Sequence, residues 1–162
     1  MEIDETLSPL PHWIEQIGGP PAILVLDVIR LDHVPSVGRV WLHGVADLDS
    51  RAMFVAVGDS PTPTLVTSLL GSHVLPHYHA RGQSIAALVT TSGWPDKTLR
   101  NYLIVHHIEL RHYAVWCPDT RGRVERLAHY LSNSTLDVDT IDELQEVCDL
   151  IVVDLFSNHT AG

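Results

Sequence analysis

Apolar residues along the chain fall into runs separated by breaker clusters, and the period of each run predicts an element. Residues 21–34, 38–47 and 51–58 read as strands, 62–71 as a short helix, and 84–91 and 101–116 as two more strands. The run 22–31 is rich in Val, Ile and Leu and is interrupted by Asp27 and Arg30, which fits a long strand partly covered on both faces. Residues 38–47 alternate, with Val40, Leu42 and Ala46 on one face and Arg39, Trp41, His43 and Val45 on the other. Asp47-Leu-Asp-Ser50 makes a turn, and 52–57 returns as the second arm of a hairpin.

After the breakers at 58–63, Leu65, Val66, Leu69 and Leu70 take helical spacing up to Gly71. In 101–116 the residues Tyr102, Ile104, His106 and Ile108 alternate with Leu103, Val105, His107 and Glu109, as a strand requires, and the turn at 92–97 joins this run to 84–91. Val124, Leu127, Ala128 and Leu131 space as a short helix with Arg121, Arg123 and Arg126 near its start. The tail is the strongest helix signal. Thr140-Ile-Asp-Glu143 matches a capping box, and Ile141, Leu144, Cys148, Ile151 and Leu155 make one apolar stripe opposite Asp142, Glu143, Glu146 and Asp149. Residues 150–156 are apolar nearly all round, so that end is buried on the protein's own sheet, meets a partner, or is a strand.

Three strands, a helix and two strands is the element order of the oligonucleotide/oligosaccharide-binding (OB) barrel, and the chain resembles that superfamily over about residues 21–116. The resemblance implies a mainly β fold: a small five-stranded Greek-key barrel with its helix between strands three and four, preceded by an extension at 1–20. A helical element at 117–162 then packs on the barrel or on a partner. In such barrels strands two and three form the ligand face. Arg39, Trp41, His43 and Phe54 would line it, with Trp94, Lys97 and Arg100 in the loop after strand four. Trp41 can equally be a core or interface residue.

Charge narrows what such a face can hold. The net charge is −10, but residues 76–126 hold four acids against seven bases, whereas 127–162 hold seven acids and no Lys or Arg. Non-specific nucleic-acid affinity comes mainly from Lys and Arg on phosphates, so any nucleic-acid contact has to be local. The acidic start has no basic stretch before it and no long apolar run follows, which predicts a soluble cytoplasmic protein without a membrane span. Cys117 and Cys148, 31 residues apart, indicate neither a disulfide framework nor a cysteine zinc site.

Eleven histidines are present, the densest group being His73, His77 and His79. On a strand His77 and His79 would project the same way and could chelate a divalent transition metal. Their spacing after Gly71, with Gln83 following, is similar to the first cupin motif, but the second motif with its third histidine is missing. No GxSxG elbow, phosphate-binding glycine loop or HExxH is found.

The sequence alone therefore predicts a non-catalytic binding or assembly module without a cofactor, contacting a protein partner, a second copy or single-stranded nucleic acid. The tail stripe Ile141, Leu144, Cys148, Ile151 and Leu155 would be its assembly surface. Two other readings stand beside it: a cupin-like metal-dependent enzyme using His77 and His79, and an acidic inhibitor or immunity-type protein for a basic partner.

Overall fold

A computed structural model describes residues 19–90, 97–112, 118–133 and 136–160. Strands β1 (Ala22–Val34), β2 (Gly38–Asp47) and β3 (Met53–Gly58) come first. A helical stretch follows: α1 (Pro63–Leu69), a π-helical segment (Leu70–Val74) and α2 (Leu75–Ala80). Then come β4 (Ile85–Thr90), α3 (Lys97–Val105), β5 (Glu109–His112), α4 (Pro118–Asn133) and α5 (Ile141–Thr160). The strands form one sheet in the order β3-β2-β1-β4-β5. β1 pairs antiparallel with β2, and β2 with β3, but β1–β4 and β4–β5 are parallel.

This architecture overturns the OB-barrel expectation. The chain is a mixed α/β protein built on an open five-stranded mixed sheet, with helices on both faces. Parallel pairing requires a crossover of about a dozen residues or more. The links 59–84 and 91–108 satisfy that, while the short turns after β1 and β2 give hairpins.

The second departure lies in 101–116. Most of its first half is the helix α3, because Leu99 and Leu103 are buried one turn apart with Tyr102 packed beside them. The helix ends on a non-glycine residue in the left-handed region, His107, at φ 57°. His107 N–H donates to the Ile104 carbonyl and Ile108 N–H to the Leu103 carbonyl, and Ile108 and Leu103 share the core, which together make a Schellman stop. Among the described residues of that run, Glu109–His112 is strand.

Two cores flank the sheet. Leu24, Leu26, Val45 and Ala56 pack against α1, α2 and α3, with Tyr78 fully enclosed. Leu31, Val40, Leu42 and Val55 pack against Val124, Leu127 and Leu131 of α4 and Leu144, Cys148 and Val152 of α5. The capping box of α5 forms, Glu143 N–H donating to Thr140 Oγ1 at 3.1 Å. Among the described residues no helix is long and apolar enough to cross a membrane.

Candidate functional site at the carboxyl end of β4

The chain leaves β1 toward β2 on one side and leaves β4 toward β5 on the other, so the sheet's topological switch point lies between β1 and β4. In open α/β sheets, ligands bind in the crevice beyond the carboxyl ends of the strands at such a point. β4 pairs with β1 as far as Leu26↔Thr90, whereas β1 continues to Val34. Among the described residues, Asp27 is therefore the first β1 residue past the last β1–β4 pair. It is a carboxylate on the central strand, 3% exposed, and it has polar partners.

Asp27 lies opposite Gly44 of β2, so it shares the sheet face covered by α4. A Cβ on Gly44 would come 2.8 Å from Val124 Cγ2, so the glycine is what allows α4 to lie so close over this pair. α4 is fixed further by Arg123, whose guanidinium donates to the carbonyls of Asp47 and Ser50. Asp47 in turn closes the β2–β3 turn, its Oδ1 accepting from the N–H groups of Asp49 at 2.8 Å and Ser50 at 3.2 Å, and its Oδ2 accepts from the hydroxyl of Tyr78 in α2. Burial and the Asp47 carboxylate push the Tyr78 phenol far above its ordinary range. The helices of both faces are thus tied to one end of β2.

His43 locks the other core. Its Nδ1 lies 3.2 Å from the Ala56 carbonyl and its Nε2 accepts from the Thr62 N–H at 3.3 Å, which assigns the neutral Nδ1–H tautomer. Thr62 Oγ1 then accepts from Leu65 N–H and caps α1. Burial lowers the His43 pKa. This residue is fully enclosed and holds the start of α1, so it offers nothing to a ligand face.

Trp41 and Arg39 lie on the hairpin formed by the far halves of β1 and β2. The Arg30 guanidinium sits 5.9 Å from the Trp41 ring centroid, and Arg30 is paired with Trp41 in register. Asp32 Oδ1 contacts Arg30 Nε at 2.7 Å and Arg39 Nε at 4.0 Å, all three side chains at least half exposed. Sequence reasoning missed Arg30, because a contact between strands is not visible in either strand alone. Phe54 shares the sheet face of Trp41 but pairs with Val45, four residues along β2 from Trp41, and lies edge-on to His77 with centroids 5.2 Å apart and beside Tyr78. Lys97 and Arg100 are exposed on α3, and Trp94 lies outside the described residues.

The histidine pair is corrected as well. His77 and His79 sit on the helix α2, not on a strand, so two residues of separation turn them to opposite sides. His77 is half-buried against Phe54 and Tyr78, and its pKa is lowered, first by burial and then by Arg81. With His73, Phe54, Val152 and Asp149 it lines an open groove of about 370 Å³ between α5 and the helices α1–α2. Among the described residues, no group of three His, Cys, Asp or Glu is placed to hold a metal ion. Of the tail stripe, Leu144 and Cys148 are fully buried in the protein's own core, Ile141 and Ile151 pack beside them, and Leu155 lies outside the residues whose burial is described.

No protein-family model and no curated protein matches the chain. Solved structures do. A simian T-cell lymphotropic virus intasome, solved in complex with the PP2A regulatory subunit B56 gamma, aligns with a TM-score of 0.56 at 20% identity. That alignment covers 80% of this chain and 47% of the viral one, so the chain spans about half that protein's length. The HTLV-2 integrase catalytic core, solved with magnesium, aligns at 0.53 and 18% identity over 80% of this chain and 82% of that one. The BIV integrase core gives 0.55 and 15%, covering 82% of each. The chain has an integrase-core, RNase H-like fold.

An integrase-core fold replaces the expected barrel, and it removes the basis on which a non-catalytic module was expected, since these neighbours are catalytic domains. The open mixed sheet is not a cupin barrel either. The HTLV-2 core was solved with magnesium; among the described residues of this chain no three His, Cys, Asp or Glu side chains come together to hold a metal ion.

Proposed function

We propose that this chain is a nucleic-acid-processing domain that acts on polynucleotide phosphodiesters in the crevice beyond β4. Asp27 is the carboxylate that orients the attacking hydroxyl or water and takes its proton. The observation that carries the reading is the position of Asp27: a buried acid on the central strand, one residue past the last β1–β4 pair, at the switch point. The charge map agrees with it. The basic stretch 76–126 builds most of α2, then β4, α3, β5 and the first half of α4, while the acidic stretch 127–162 builds the rest of α4 and α5. Local attraction within an acidic protein favours a short stretch of strand over indiscriminate coating of nucleic acid.

The test is product analysis with end-labelled single-stranded and duplex oligonucleotides, with and without added magnesium or manganese, alongside photo-crosslinking of an iodouridine-containing strand. Shortened or joined products, with crosslinks confined to peptides from 26–43 and 97–126, are expected. Wild-type protein that alters no substrate form, or crosslinks that fall on α5, overturn the reading.

A further inference from the structure

The far half of the β1–β2 hairpin carries an aromatic and two cations that the reaction centre does not use. We propose that Trp41, Arg30 and Arg39 form a platform for an unpaired nucleobase of the substrate strand, Trp41 stacking the base and the two guanidiniums holding the flanking phosphates. The inference rests on the reading of Asp27 given above and adds the substrate class, a strand that is single-stranded beside the reacting bond.

Register places the platform. Arg30 lies three residues after Asp27, about 10 Å along a strand, which is the length of about three stacked nucleotides. Among the described residues the last β1–β4 pair is Leu26↔Thr90, and past it a ligand rounding the β1 edge meets the α4 side that Asp27 shares and the opposite side that carries Trp41 and Arg30. On the other flank of Trp41, β3 contributes Gly58, and Leu65 of α1 fills the space a Cβ would take there.

Chemistry places the ligand. Every base has a π-face, so a half-buried Trp next to a guanidinium binds unpaired bases with little regard to sequence, while a duplex hides its bases from such a ring. Among the described residues the carboxylate paired with the two arginines is Asp32, which is 68% exposed, and exposed ion pairs contribute little. Exchanging Asp32 for a phosphate therefore costs little.

The measurement is fluorescence anisotropy of a labelled dT12 and of the same length as a blunt duplex, titrated with full-length protein in several salt concentrations. Trp41→Ala should weaken dT12 binding about 5- to 150-fold, the range found for base–aromatic stacking, and leave duplex binding within twofold. Trp41→Phe should recover most of the loss, which separates stacking from misfolding. Arg30→Ala and Arg39→Ala should each reduce the salt slope of log K by about 0.7. Asp27→Asn should bind dT12 like wild type. If Trp41→Ala and both arginine variants bind dT12 as wild type does while turnover is present, the platform is wrong and the reading of Asp27 stands. If wild-type protein binds neither probe and turns over nothing, both fail together.

Discussion

Gln145 of α5 is hydrogen-bonded to Val57 on the free edge of β3. Its Oε1 accepts from the Val57 N–H at 2.7 Å, and its Nε2 donates to the Val55 carbonyl at 2.8 Å and to Asp149 Oδ1 at 2.9 Å. One side-chain amide thus supplies the donor and acceptor that a sixth strand would present. An uncovered edge is a template for pairing with another chain, so this contact protects the sheet while it anchors α5.

Replacing Gln145 by Ala leaves one edge N–H and one carbonyl without these partners. A loss of about 1–3 kcal/mol in urea unfolding is expected, together with concentration-dependent self-association in analytical ultracentrifugation. Gln145→Glu keeps only the acceptor and should fall between the two.

Tyr78→Phe removes the hydroxyl that donates to the buried Asp47 carboxylate. Hydrogen bonds to charged groups are worth about 1.5–3 kcal/mol, and a loss of that size is predicted by equilibrium unfolding at pH 7. Because Asp47 also receives Arg123 through its carbonyl, coupling between Tyr78→Phe and Arg123→Ala in a double-mutant cycle is expected.

His43 makes stability depend on acid. Its folded pKa lies below the unfolded value of about 6.5, so the unfolded state binds more protons below that pH. The contribution of neutral His43 is complete above pH about 6.5 and is lost progressively as pH falls toward the folded value; half-buried His77 adds an effect of the same sign. Urea midpoints between pH 5 and 8 should show this slope, and His43→Gln should flatten it.

Burial and Asp149 push the Cys148 thiol up to about 12. In a Cys117→Ser background, Cys148 should resist a thiol reagent at pH 8 and react at once in denaturant. Rapid labelling of the folded protein would show that α5 does not stay docked.

Much of the fold is legible along the chain, and the rest is hidden for definite reasons. β1 to β4 follow from their apolar runs, and the α5 capping box and stripe follow from Thr140, Glu143, Leu144 and Cys148. α3 is hidden because Tyr102, Ile104 and His106 alternate like a strand, and because its stop uses His107 in the left-handed region where glycine is the usual signal. The length of 59–84 and 91–108 was the available sign of parallel pairing. Asp27 has no signature of its own; its significance comes from its place after the last described β1–β4 pair, which only register reveals. Trp41 and Arg39 are visible by alternation, but the histidine pair loses its meaning once 75–80 is helical.

Turnover by the isosteric Asp27→Asn variant tests the central claim most directly. Steady-state cleavage or joining of a labelled oligonucleotide is measured for wild type and variant, with unfolding midpoints confirming that both are folded. A fall in kcat of about 10²- to 10⁴-fold with dT12 affinity unchanged is predicted, the range that positioned proton transfer supplies. A folded Asp27→Asn protein that turns over substrate at the wild-type rate would contradict the account.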